Sequence, residues 1–166
     1  MILSFKTHIN KRPTMFTNKI VKWMWENYSS KMNEFARSQK MPDYYIFENL
    51  SVYQSELLRP KLHTIREDKN NRWKIGMIID YFIYPRNVKM FRFAPQVPVK
   101  GIQKIEINPT SEYLHETIVK VDGRKLNEYE VQQLAWNDGF SNLVDFWLWF
   151  NKDFTGKILH WGDMKY

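Results

Sequence analysis

Apolar side chains at Ile20, Met24, Tyr28 and Met32 recur every four residues, and Phe35 and Ala36 extend the same stripe. That period predicts an amphipathic helix, with Lys19, Lys22, Lys31 and Arg37 mostly elsewhere around the wheel. Packing is the ordinary use of such a stripe, although a basic opposite face can also lie along phosphates or an acidic partner. Ahead of it, residues 1–6 alternate as a short strand does, and Lys11, Arg12, Pro13 and Thr14 form a basic turn that ends it. Met41-Pro42-Asp43 closes the helix, since proline lacks the backbone N–H and pushes the preceding residue out of helical geometry. Residues 44–58 are aromatic-rich without a clean period and suggest a second short helix before Pro60.

Downstream, strands dominate. Residues 62–66 read as extended, 67–71 as a charged polar loop, and 75–84 as an apolar run suited to a buried strand. Residues 89–93, 97–107 and 117–121 are rich in β-branched and aromatic residues, with Pro and Gly between them. Asp122-Gly123 predicts a hairpin turn. Asn127 with Glu130 resembles a capping box, and the short helix it opens carries Val131, Leu134 and Ala135 on one face and ends at Gly139. Ser141 or Asn142 caps a further helix whose Leu143, Phe146, Trp147 and Phe150 keep helical spacing, and 157–161 is a last strand. This pattern, without repeats or low-complexity segments, predicts one α+β domain over residues 1–166, a small β-barrel flanked by short helices.

Composition adds little to the fold and more to the function. The 43% apolar content supports a real core, but seven Trp, nine Tyr and eleven Phe exceed what a core this size needs. Some of those rings are therefore expected at the surface or in a pocket, where stacking on bases is one use. A net charge of +7 and a pI near 9.5 favour a polyanionic partner, while serving solubility equally well. The absence of cysteine excludes disulfides, thiolate nucleophiles and cysteine metal sites, and fits a reducing compartment. His8, His63, His115 and His160 are scattered, with no His-x-x-x-His or carboxylate-rich cluster, so each reads as structural and neither metal nor other cofactor is expected. No apolar run reaches the roughly eighteen residues of a membrane span, and the amino terminus reads as a strand rather than a cleavable leader, so no membrane partner and a cytoplasmic location are expected.

The densest chemistry lies in residues 60–66, where a cation, a hydroxyl and a guanidinium fall within a few positions. In an extended chain Thr64 and Arg66 share one face and His63 and Ile65 the other. Lys61 reaches the threonine's face only if the chain bends at the strand entrance, which Pro60 favours. A strand start with solvated charges is the plain alternative. Threonine becomes a nucleophile when a base takes its proton, and a lysine with a lowered pKa serves as one. Asp138, at the helix-ending Asp-Gly-Phe turn, is the best-placed carboxylate for proton transfer, with a turn or cap role as its alternative. Arg66, Arg72 and Lys74 suit phosphate or carbonyl recognition, and Trp73 suits stacking on a base or packing in the core.

Lys61-x-x-Thr64-Ile65-Arg66, then Arg72-Trp73-Lys74-x-Gly76, Leu134-Ala135-x-x-Asp138-Gly139-Phe140 and Gly156-Lys157-Ile158-Leu159-His160-Trp161 stand in an order and spacing that resemble the ASCH family of PUA-like domains. The first strand, residues 1–6, resembles the family's as well. The resemblance implies a PUA-like barrel whose cleft, beside Lys61, Thr64 and Arg66, takes RNA or a nucleoside- or nucleotide-like ligand. It also implies an alternative, a hydrolase, either a ribonuclease or an amidohydrolase that removes the acyl group from N4-acetylcytidine with a lysine, a threonine and a glutamate. Asp138 stands where that glutamate is expected, which retracts the carboxylate by one methylene. Residues 7–57 exceed the family pattern and read as a helical insertion that caps the cleft, selects its ligand or recruits a protein partner. Lys61, Thr64, Arg66 and Asp138 are expected to converge between the barrel and the helices near 127–150.

Overall fold

The computed structural model describes residues 1–9, 11–39, 58–109 and 117–166. They fold as two compact units, Met1–Lys61 with Ile78–Val97, and Leu62–Met77 with Pro98–Tyr166. Both combine strands with helix or loop, and the chain is α+β. The suggested second helix at 44–58 falls, but for its last residue, outside the described residues.

In the first unit, β1 (Ile2–Ser4) runs parallel to β5 (Ile78–Ile83), with Leu3 opposite Tyr81. β5 pairs antiparallel with β6 (Phe91–Arg92), and β7 (Val97–Pro98) also pairs with β5. Phe5, Tyr81 and Phe93 form a buried ring cluster with centroids 5.9–6.1 Å apart. Of the expected basic turn only Lys11, at φ 64, and Thr14 lie outside a strand: Arg12–Pro13 is itself β3 and pairs antiparallel with β2 (His8–Ile9). Helix α1 (Phe16–Ser38) buries Ile20, Met24, Met32, Phe35 and Ala36, as the four-residue period predicts. It departs from the pattern twice. Lys19, Val21, Lys22 and Trp23 are buried too, so its first half is covered on more than one face. Tyr28 has non-helical φ −142 and ψ 44, which kinks the helix midway along the stripe.

The second unit is a five-stranded antiparallel sheet in the order β10-β9-β8-β11-β4. Its strands are β4 (His63–Arg66), β8 (Gly101–Asn108), β9 (Ile118–Val121), β10 (Arg124–Lys125) and β11 (Phe154–His160). Along β8, buried Gly101, Gln103, Ile105 and Ile107 alternate with more exposed Ile102, Lys104, Glu106 and Asn108, so one face meets the core. The expected single strand over 97–107 is broken instead. Pro98 has no N–H to give, the Val99 amide donates to the Met77 carbonyl, and only from Lys100, whose amide donates to His160 O, does the chain join β11. Asp122 (φ 50) and Gly123 (φ 85) make the predicted turn, with the two left-handed residues such a hairpin needs. Among the described residues the pairing ends at β4 and β10, and no sheet is closed into the expected barrel. Strand β10 is two exposed basic residues long, a short charged edge that does not invite a further partner.

Helix α2 (Glu128–Asn137) has the predicted capping box, both Asn127 and Glu130 hydrogen bonds being present, and buries Val131, Leu134 and Ala135. Gly139 (φ 94) turns the chain out of it. Helix α3 (Leu143–Trp149) is capped by Asn142, whose side chain accepts from the Asp145 amide, and it buries Phe146 and Trp147 beside Phe140 and Phe150. Burying each such ring contributes on the order of 1.5–3 kcal/mol before entropy is counted. Among the described residues no helix is long and apolar enough to cross a membrane.

Candidate functional site

Strand β4 owes its position to β11, which pairs with it on one side through Thr64 opposite Leu159 and Arg66 opposite Lys157. At its other flank the end of α2 approaches. The Leu62 amide donates to the Asn137 carbonyl at 2.8 Å, and the Ile65 amide donates to Asp138 Oδ1 at 3.1 Å. Asp138 thus caps α2 with its backbone, through its amide to Leu134 O, and holds the motif strand with its side chain. Asp138 is 5% exposed, and its carboxylate lies 3.7 Å from His63 Nδ1. Burial lowers the Arg66 guanidinium pKa and the Asp138 charge opposes that fall, so the two act on one another.

Thr64 is buried within β4, at 3% exposure. Lys61 belongs to the first unit, where it is buried, its amide donates to Lys19 O at 3.1 Å and its ammonium lies 4.8 Å from the centre of the Phe16 ring. The loop after β4 is organised by Asp68, which accepts from the Arg72 and Trp73 amides at 2.9 and 3.1 Å and from Lys157 Nζ at 2.8 Å. Burial raises its pKa, but these donors more than offset that and leave it lowered. The loop presents Arg72 and Lys74 to solvent and turns Trp73 inward, where it is 5% exposed and packs rather than offering a free face. Beside it lies a groove of about 540 Å³ lined by Lys69, Asn71, Lys104, Thr155 and Lys157 among others. Among the described residues no group of His, Asp and Glu side chains is arranged to hold a metal ion.

No family model, curated protein or solved structure matches this chain. Its geometry must therefore be read on its own. Beyond the residues expected from sequence, the second unit gathers a polar cluster around His63 of the same strand. His63 Nε2 lies 2.8 Å from Tyr166 Oη, which also accepts from Asn137 Nδ2 at 2.8 Å, and Gln103 bonds the Tyr166 backbone. Gln103 carried a signal, being a polar residue at an inward position of an alternating strand. Asn137 and Tyr166 carried none.

The Asp138 bond gives a direct test. Asp138→Ala leaves the buried Ile65 amide without its acceptor, and we expect a loss of about 1–3 kcal/mol in urea unfolding, with Asp138→Asn losing less because its amide oxygen still accepts. Equal losses in the two variants would mean that charge toward His63 and Arg66, rather than the strand bond, dominates.

Proposed function

We propose that this chain is an ASCH-like, PUA-type ligand-binding domain that takes RNA or a nucleotide-like ligand beside the Lys61-x-x-Thr64-x-Arg66 motif. The observation that carries the reading is the joining of segments that lie far apart in sequence. Asp138 of the Asp-Gly-Phe turn holds the Ile65 amide of the motif, and β11, within the Gly156 to Trp161 segment, pairs with the same strand. Arg72 and Lys74 are exposed on a loop that Asp68 and Lys157 fasten to that sheet, so cations stand ready for phosphates. Lys61 enters the proposal through the resemblance, as do closure of the barrel and a partner-binding role for residues 7–57.

The test is titration of a fluorescent single-stranded RNA at increasing salt. Affinity is expected to fall steeply as counterion release weakens, and Arg72→Ala with Lys74→Ala to weaken binding about tenfold while flattening the salt slope. Arg66→Ala, measured beside them, removes the cation adjoining Asp138. Binding indifferent to salt and to these variants would overturn the reading. Release of acyl groups from N-acylated cytidine by the wild type, abolished in Thr64→Ala, would move the assignment from binding to amide hydrolysis.

A further inference from the structure

Tyr166 enters a polar pocket of the second unit with both side chain and backbone. Its hydroxyl is shared by His63 and Asn137, and the Gln103 amide clamps its main chain: Oε1 accepts from the Tyr166 N–H at 2.9 Å and Nε2 donates to its carbonyl at 3.1 Å. The ring stands edge-on to His63 at 5.5 Å and tilted on His160 at 6.2 Å. His160 is fully buried, yet neither of its ring nitrogens has a hydrogen-bond partner among the described residues. Burial, with His63 nearby, keeps it neutral, so it carries one donor and one acceptor, each costly to leave unmade. A phenol has a single polar group, and it is already committed to His63 and Asn137. A flat heterocycle with donors and acceptors around its edge offers His160 what tyrosine does not.

The segment that brings Tyr166 here is lightly attached. Among the described residues no backbone-to-backbone hydrogen bond joins 162–166 to the sheet; beyond the bonds made by Tyr166 itself, it is tethered by the Asn137 Nδ2–Met164 Sδ contact at 3.6 Å and the exposed Asp163–Lys100 pair at 2.9 Å. Such attachments open at low cost.

We propose that this pocket is a nucleobase site and that Tyr166 is its built-in occupant, displaced when the base of a nucleotide or RNA enters. The inference rests on the nucleotide-binding reading above and deepens it by locating the base apart from the phosphate-facing cations. Asp122 Oδ2 holds one Gln103 Nε2 proton at 3.0 Å, and once Tyr166 leaves, the acceptor and the other N–H of the Gln103 amide are released side by side, the pairing by which a glutamine amide reads adjacent polar groups on a base edge. His63 and Asn137 regain the bonds that the hydroxyl held.

Calorimetric titration of the full chain with CMP, UMP, AMP and GMP tests this. Tyr166→Ala removes the competitor and is expected to tighten binding of at least one nucleotide about tenfold, since apparent affinity scales with the fraction of open pocket. Tyr166→Phe, which deletes only the hydroxyl, should gain less, and adding Asn137→Ala to Tyr166→Ala should abolish the gain. A folded Tyr166→Ala protein that binds all four nucleotides no tighter than wild type overturns the proposal; if that variant does not fold, an unchanged Tyr166→Phe does so. Salt-sensitive RNA binding that depends on Arg72 and Lys74 but ignores Tyr166 would remove the base pocket and leave the RNA reading standing. Tightening by Tyr166→Ala with no effect of the Arg72 and Lys74 variants would keep the pocket and remove the cation role.

Discussion

Gly156→Ala is expected to destabilise the second unit by at least about 3 kcal/mol, at or beyond the upper end of ordinary overpacking. Gly156 lies in β11 between β8 and β4, paired with Ile105. A Cβ there would run into the Arg66 backbone oxygen, well inside contact distance, and would stand 2.7 Å from the Phe154 ring. A ring can swing aside, but a carbonyl within a paired strand cannot move without tearing β4 from β11. Phe154 and Gly156 are two residues apart and share a face, so the ring covers the glycine as an aromatic often does in sheets. Thr155→Ala, at the exposed neighbouring position, should change stability by less than about 0.5 kcal/mol. Chemical denaturation followed by tryptophan fluorescence reads both, and a Gly156→Ala protein as stable as wild type would mean that β4 and β11 are not held as described.

Acid should weaken the fold well before the carboxylates titrate. Burial, reinforced by His63 and Lys165 and opposed by Asp122, drives the His160 pKa from 6.5 down to about 3. Because the folded value is the lower one, the unfolded chain binds a proton below pH 6.5 that the folded chain refuses. Stability is therefore full above that pH and declines as pH falls from 6.5 toward 3. Each whole step of pH below 6.5 costs about 1.4 kcal/mol, so the loss is about 2 kcal/mol at pH 5 and about 4–5 kcal/mol at pH 3. Asp68 and Asp80, both with lowered values, add to the loss only below the ordinary aspartate range. Urea midpoints measured from pH 8 to pH 4 check this. His160→Leu should flatten the decline between pH 6.5 and 4, and a slope unchanged in that variant would assign it to another group.

Local pattern determined most of the elements. Four-residue spacing foretold the buried stripe of α1, the capping box foretold the start of α2, and Asp122-Gly123 foretold its turn, because each depends on side chains only a few positions apart. Pattern also marked residues 60–66 and Asp138 as sites of interest. What it could not decide was which partners these would find. That Asp138 would bond the Ile65 amide, that Asp68 would fasten Lys157, and that Tyr166 would fill a pocket of His63, Asn137 and Gln103 all depend on chain segments tens of residues apart meeting in one sheet. The burial of Lys19 and Lys22 likewise follows from what covers α1 and not from its own period, which does not mark the kink at Tyr28 either. Trp73 makes the same point: nothing in Arg-Trp-Lys distinguishes a base-stacking ring from a core one, and only the loop fixed by Asp68 turns it inward. Periodicity records which way a residue faces along its own element; the identity of its neighbour is set by long-range packing, where the free energy of burial and of satisfied polar groups is decided.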